Sequence, residues 1–481
     1  MTQNIERVIV VSNRLPIALT KGKDGEWQVQ HGSGGLVTAL APVLRDRGGL
    51  WIGWPGTFEE IHTDELTEMT NSTGYALKPV ILTEEEVNQY YFGFSNEILW
   101  PLFHSLQSRC NFDPAYWASY QSVNRKFARI IAENAQETDY IWVHDYHLLL
   151  VAKELRAIGL KNKVGFFLHT PFPPSDLFNI LPWRAQIIEA LLQYDLIGFQ
   201  TMRDRNNFIH YMESLIGDLH VDARRPVCMI VTPQRKIRSG AFPISIDFKE
   251  FSRQAATRMV SERAQQLRNA ITNCQIILGV DRLDYSKGIP ERLRAFRNAL
   301  ECFAELRGKI ALVQIVVPSR AEVPEYQILK AEVERLVGEI NGEFSQAGWV
   351  PIHYMYRSLE RDELLAYYRA ANIALITPLR DGMNLVAKEY CAANVDNNGV
   401  LILSEFAGAA TQLRTSALLV NPYDIEGVAS AIYRAYNMNT IERRLRMRNL
   451  RHSIARRDIF WWVDFFLWAA TTQNLEHPPR H

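Results

Sequence analysis

Short β-branched or apolar runs recur between longer stretches of helical periodicity, and this alternation limits the fold more than any other feature of the chain. The runs are Val8–Val11, Tyr140–Val143, Val164–Leu168 and Leu196–Phe199, then Ile276–Val280, Ala311–Val317, Ile373–Thr377 and Val400–Leu403. Strands alternating with helices predict parallel sheets, because each crossover helix returns the chain to the same end of the sheet. Leu329, Val333, Leu336 and Ile340 recur at helical spacing and give one connecting segment an apolar face. A chain of 481 residues exceeds one ordinary core. Its strands fall into two groups on either side of GAFPISIDFKEF, with the boundary expected near Asp247. The predicted division is therefore 1–247, 248–455 and a terminal segment 456–481. Open parallel sheets bind ligands beyond the carboxyl ends of their strands.

Charge narrows the partners. Lys+Arg 53 against Asp+Glu 53 leaves a formal net charge of +0, so no global field points to nucleic acid and any phosphate binding must be local. The five cysteines, Cys110, Cys228, Cys274, Cys302 and Cys391, are far apart and form no CxxC pair. They are expected to be reduced core thiols in a cytoplasmic protein. The start, MTQNIERVIVVSNR, carries charge where a signal peptide needs an apolar run. The most apolar stretch, IFWWVDFFLWAA, is too short for a bilayer and contains Asp464, which predicts a buried terminal helix and no membrane partner.

Five strand ends carry polar residues. The first ends in Ser12-Asn13-Arg14-Leu15-Pro16, and the turn His31-Gly32-Ser33-Gly34-Gly35-Leu36 precedes a predicted helix. That turn suits a phosphate at a helix N-terminus or is simply a loop. The dinucleotide fingerprint fails because Val37 stands where its third glycine belongs, and no GxxxxGK[ST] occurs. Two later runs end in Val143-His144-Asp145-Tyr146-His147 and Leu168-His169-Thr170-Pro171. His144 and His147 have one carboxylate nearby and no third ligand at zinc spacing, so they read as core or loop-pinning histidines. In the second half, Asp281-Arg282-Leu283-Asp284-Tyr285-Ser286-Lys287-Gly288 follows a strand, and Arg282 and Lys287 could meet on a phosphate or lie in a solvated loop. Pro378-Leu379-Arg380-Asp381-Gly382-Met383-Asn384-Leu385, with Glu389 beyond, could hold sugar hydroxyls, a phosphate and a ribose, or merely cap a helix.

Together the runs VSNRLP, GSGGL, WIGWPG, YYFGFSNEILWP, VHDYHLL, FFLHTPFPP, GVDRLDYSKGIPER, VPSR, TPLRDGMNLVAKEY and SEFAG resemble those of the trehalose-6-phosphate synthase family of retaining glycosyltransferases. The resemblance extends from Val8 to the terminal aromatic segment. It implies a GT-B fold: two Rossmann-like parallel-sheet domains, acceptor-binding and nucleotide-sugar-binding, facing across a cleft, with the last helix crossing back to the first. Carried over by position, the acceptor phosphate and hydroxyls fall to Arg14, Trp54, Tyr91, Trp100, Asp145 and Arg320. The donor falls to Gly35, His169, Arg282, Lys287, Leu364, Asp381, Gly382, Met383, Asn384, Leu385 and Glu389. Arg282, Lys287, His169 and Asp145 form the implied catalytic set, with no metal and no cofactor.

The resemblance further implies front-face transfer with retention, the departing phosphate oxygen taking the acceptor proton. Two fixed cations would stabilise the growing charge on the diphosphate more than the ground state. UDP-glucose is the expected donor and glucose 6-phosphate the expected acceptor, although the nucleotide base is not legible in the residues. No DxDGT-type motif is present, so a separate phosphatase is expected to act on the product. Self-association is left open. The rival readings are a glucosylglycerol-phosphate synthase, a non-catalytic regulatory subunit and a nicotinamide dehydrogenase.

Overall fold

The computed structural model describes residues 7–21, 27–31, 37, 40–41, 44–45, 48–59, 74–215, 220–221, 226–271, 274–319, 323–472 and 475. The chain divides into two compact units, Met1–Ile244 with Phe460–His481, and Ser245–Ile459. Asp247 belongs to the second because its carboxylate accepts from Glu250 N at 2.9 Å and caps the helix Phe248–Ala255.

The first unit contains β1 (Val8–Arg14), the hairpin β2 (Ile17–Lys21) and β3 (Trp27–His31), β4 (Gly49–Trp54), β5 (Ala76–Pro79), β6 (Tyr140–His144), β7 (Val164–Phe167), β8 (Leu196–Phe199), β9 (His220–Val221), β10 (Val227–Val231) and β11 (Lys236–Ala241). Its main sheet runs β5-β4-β1-β6-β7-β8-β11-β10-β9. Every pair from β5 to β11 is parallel, whereas β10 runs antiparallel to both β11 and β9. The alternation of strands and helices foretold the parallel part. The antiparallel edge includes the short return from β10 to β11, between which no helix intervenes.

The helix Ile459–Thr471 lies on this sheet, where Trp462 and Phe466 stack on Trp142 at ring distances of 5.0 and 4.3 Å. Trp462 is fully buried and donates its indole N–H to Phe242 O at 3.1 Å. Two glycines on adjacent strands make room for it: a Cβ at Gly198 would sit 2.7 Å from Phe466, and one at Gly165 3.2 Å from the same ring. Aromatic surface is buried here without the chain needing to span anything. Among the described residues no helix is long and apolar enough to cross a membrane.

The second unit contains β12 (Gln275–Arg282), β13 (Ile310–Val317), β14 (Ile352–Tyr356), β15 (Ile373–Ile376), β16 (Val400–Ser404) and β17 (Leu418–Val420), in the order β14-β13-β12-β15-β16-β17. All pairs are parallel. The helix Pro324–Phe344 buries Leu329, Val333, Leu336 and Ile340, the face that the helical spacing marks out. One expectation fails. Cys228 and Cys391 are buried and Cys110 and Cys274 half-buried, but Cys302, at the last turn of Ile289–Cys302, is exposed, so it is not a core thiol.

Candidate active site

In the first unit, β1 and β4 carry one wall. Their register shifts between Val11 and Arg14, which aligns Arg14 with Trp54. Such irregularities re-aim a side chain at a strand end. The Arg14 guanidinium lies 3.9 Å over the Trp54 ring. Gly56, at φ +94°, leaves the space that Arg14 Nη1 occupies, and any Cβ there would overlap it. The WPG turn thus serves the arginine.

A second wall is the segment Val87–Leu99, wound with the wide turn of a π-helix and ending where Trp100 N–H bonds Ser95 O. π-Helical winding is rare and is frequently found at functional sites. The segment places Tyr91 6.4 Å from Trp54 and stacked on His147 at 5.7 Å. Its neighbours are pinned: Tyr90 donates to Asn13 Oδ1 at 3.0 Å, and Tyr146 donates to Asn96 Oδ1 at 3.0 Å. Trp100 is buried, 5.8 Å from the Tyr146 ring.

Asp145 follows β6 with φ +73° and ψ 166°, a backbone region that is costly for any residue but glycine. Its amide donates to Phe167 O at 2.8 Å, and its Oδ1 accepts from His169 N at 3.2 Å. The strain is therefore held from two sides. His169 Nε2 lies 3.1 Å from His144 Nδ1. Burial lowers both imidazoles, His169 to about 3, so both are neutral at neutral pH.

The strand ends of the second unit carry charge instead. Arg282 closes β12 and is exposed. The turn Tyr285–Lys287 is capped by Asp284 and ends at Gly288, whose φ of +63° and closeness to Thr377 O, 2.6 Å from a Cβ placed there, exclude a side chain. Leu379 N donates to Ser286 O at 2.8 Å, so this turn and the loop after β15 are locked together. The lock brings Lys287 Nζ within 2.6 Å of Asp381 Oδ2, with both side chains largely buried. Asn384, at φ +74°, donates to the same oxygen at 3.2 Å, and its Oδ1 accepts from Ala387 N to cap Leu385–Ala393. Gly382 and Met383 are clamped from behind, where Gly408 N donates to Asp381 O at 3.1 Å and Ala409 N to Met383 O at 2.7 Å. Glu389 accepts from Tyr368 Oη at 2.8 Å, which ties its helix to Arg361–Ala370, the helix of half-buried Leu364. Burial raises the Glu389 carboxyl and, completely buried, lowers Lys388 to about 7.

Within the first unit the structure thus gathers Arg14, Trp54 and Tyr91 in one set of ring contacts and joins Asp145 to His169, while Trp100 packs on Tyr146. Within the second it gathers Lys287, Asp381 and Asn384, and it joins Glu389 to Tyr368. Gly35 and Arg320 lie outside the described residues. Among the described residues no three His, Cys, Asp or Glu side chains are grouped to hold a metal ion. Three supporting residues were given no site role by the motif reading: His144, read as a core or loop-pinning histidine, Arg292, the last residue of GVDRLDYSKGIPER, and Tyr368. Arg292 is buried, pairs with Asp281 and donates to Thr377 Oγ1 at 3.0 Å, bracing the strand ends on which Arg282 and Lys287 sit. His144 and Arg292 carry the signal of lying inside motifs, whereas Tyr368 has only its place in the helix of Leu364.

Comparison with known proteins shows the family. The profile of glycosyltransferase family 20 matches residues 6–471. A trehalose-6-phosphate synthase of Mycolicibacterium gilvum is 44% identical over 98% of this chain and 95% of its own. That of Mycobacterium leprae is 44% identical over 95% of this chain and 93% of its own. Among solved structures, the UDP-forming α,α-trehalose-phosphate synthase of Burkholderia xenovorans in complex with glucose 6-phosphate superposes with a TM-score of 0.86 at 36% identity, covering 96% of this chain and 99% of that one. The E. coli protein bound with UDP-2-fluoro glucose gives a TM-score of 0.85 at 38% identity, covering 98% of this chain and 100% of that one. The fold is of the GT-B type those enzymes share, and the chain belongs to glycosyltransferase family 20.

Proposed function

We propose that this chain is a retaining glucosyltransferase that moves glucose from UDP-glucose to the anomeric hydroxyl of glucose 6-phosphate, forming α,α-trehalose 6-phosphate and UDP. The observation that carries the reading is Lys287 held 2.6 Å from Asp381 at locked strand ends, in a chain similar to trehalose-6-phosphate synthases along nearly its full length. Asp381 fixes the ammonium before any substrate arrives. Fixed charge costs no reorganisation when negative charge grows on the leaving diphosphate, and Arg282 adds a second cation at the end of β12. The C1–O bond to the β-phosphate breaks, a new C1–O bond forms to the acceptor oxygen on the same face, and the acceptor proton passes to the departing phosphate oxygen.

In this reading Arg14, with Arg320, grips the acceptor phosphate, and Trp54, Tyr91, Trp100 and Asp145 shape the acceptor's sugar pocket. His169, with Gly35, meets the donor glucose, while Leu364, Asp381–Leu385 and Glu389 hold the rest of the donor. The first unit is thus the acceptor domain and the second the nucleotide-sugar domain. Five free cysteines support a reducing, cytoplasmic setting, with a separate phosphatase consuming the product. The test is nucleotide release from UDP-, ADP- and GDP-glucose with glucose 6-phosphate or glycerol 3-phosphate as acceptor. Rapid release only with UDP-glucose and glucose 6-phosphate is expected. A preference for glycerol 3-phosphate, or no turnover with any pair, defeats the proposal.

A further inference from the structure

His144 and His169 share one hydrogen bond between two neutral rings. A neutral imidazole carries one N–H and one lone pair, so the pair has two arrangements. In one, His144 Nδ1–H donates to His169 Nε2, and His169 bears its own proton on Nδ1. In the other, His169 Nε2–H donates to His144 Nδ1, and the proton of His144 lies on its Nε2. The two present opposite faces to a ligand, because His169 Nδ1 is a donor in the first and an acceptor in the second.

His144 Nε2 decides between them. His144 is fully buried, and this atom has no hydrogen-bond partner among the described residues. Around it stand rings: Trp142 at 4.8 Å, Phe167 at 6.4 Å and Trp462 at 6.5 Å between centroids. The second arrangement strands an N–H in that aromatic cluster, whereas the first leaves an unused lone pair. Orphaned buried N–H groups are the rarer of the two. Trp142 Nε1, a donor only, is also buried without a partner among the described residues in the same cluster, and a second stranded N–H beside it compounds the cost.

We propose that His144 is a positioning residue, donating from Nδ1 to His169 Nε2 and so holding His169 as the Nδ1–H tautomer that presents a donor to a sugar oxygen. The inference rests on the reading of His169 as a donor-glucose residue. Asp145 completes the arrangement by accepting from the backbone N–H of the same histidine, so ring and main chain of His169 are each fixed by the end of β6.

Long-range 1H–15N correlation on ring-labelled histidines reads the tautomer directly, with the His169 signals assigned by their loss in His169→Gln. Protonated Nδ1 and unprotonated Nε2 on His169 are expected, and the reverse pattern overturns the proposal. Kinetics give a second reading. His144→Asn retains an amide N–H near the Nδ1 position, and His144→Leu removes it. His144→Leu is expected to lower kcat by about tenfold, the scale on which an orienting partner acts, with KM for glucose 6-phosphate unchanged, while His144→Asn recovers most of the loss. Equal losses in both variants at equal unfolding temperature overturn the positioning role. Unchanged turnover in His169→Gln overturns instead the reading on which it rests, and the spectra separate the two failures because they need no turnover.

Discussion

The strand ends of the two units solve recognition differently. At the ends of β6 and β7 the charge is sparing: neutral imidazoles, stacked rings and one strained aspartate whose carboxylate is occupied by a backbone N–H. At the ends of β12 and β15 an ammonium and a carboxylate already face each other at 2.6 Å, braced by the buried Arg292–Asp281 pair. The first arrangement suits an uncharged sugar ring, whose hydroxyls need oriented neutral donors and acceptors and flat walls. The second suits a leaving group on which charge develops. In the proposed assignment two sheets that are parallel at these strands thus carry two chemistries, set by which residues end the strands.

If that contrast is right, acid should loosen the first unit before the second. The folded pKa values of His144 and His169 lie below the ordinary 6.5, His169 at about 3, so the unfolded chain binds more protons as pH falls below about 6.5. Stability from these neutral rings is full above that pH and is lost downward toward pH 3. His144 is fully buried and His169 half-buried, and each ring that stays neutral in the fold adds a slope of at most about 1.4 kcal/mol per pH unit. Hydrogen exchange between pH 7 and 4 should show β6 and β7 losing protection first. Earlier loss in β12 and β13 would break the comparison.

The charged site should fail in turnover. Lys287→Ala removes the ammonium that Asp381 holds in place, and kcat should fall by about a hundredfold or more, roughly 2.7 kcal/mol. A smaller drop, in Arg282→Ala as well, would mean that neither cation meets the growing charge. Steady-state nucleotide release on variants with wild-type unfolding temperature decides.

The aromatic site holds its cation by stacking, and that sharpens the contrast from the other side. Arg14→Lys keeps the charge but loses the planar fork that lies over Trp54. KM for glucose 6-phosphate should rise by about tenfold, or 1.4 kcal/mol, with KM for the nucleotide sugar little changed. Equal rises for both substrates would make Arg14 a general structural residue.

What the sequence revealed and withheld follows from the same contrast. Val8–Val11 and Ala311–Val317 were legible as strands because both faces are buried and the run is apolar throughout or broken only by the buried Gln314. β14, reading IHYMY with four half-buried residues, and β11, with Lys236 and Arg238, lack that run and passed unnoticed. Lys287, Asp381 and His169 were legible because they end strands inside long motifs. The bracing done by His144, Arg292 and Tyr368 was not, although the first two lie inside motifs, since they act on other side chains and that relation exists only once distant loops meet. The π-helical winding of Val87–Leu99 has no periodicity signal of its own, although it places Tyr91 against Trp54.

Tyr368 offers the finest test, because it belongs to the charged unit yet works through a neutral hydroxyl. Its Oη donates to Glu389 Oε2 at 2.8 Å and joins two helices. Burial raises the Glu389 carboxyl while this hydrogen bond opposes the rise, so the hydroxyl helps to keep Glu389 ionised and in place. Tyr368→Phe keeps the ring and its packing and removes only the donor. A carboxylate that binds a ribose hydroxyl would then be less well oriented, and KM for the nucleotide sugar should rise by about threefold, roughly 0.6 kcal/mol. Because Glu389 is far along the donor from the breaking bond in the proposed assignment, kcat should stay within experimental error of wild type. Uniform ground-state binding is lost in that pattern, and transition-state binding is not. A fall in kcat as large as that of Lys287→Ala would place Glu389 among the groups that meet developing charge. The second unit would then be a single coupled network rather than a charged end with a separate neutral clamp.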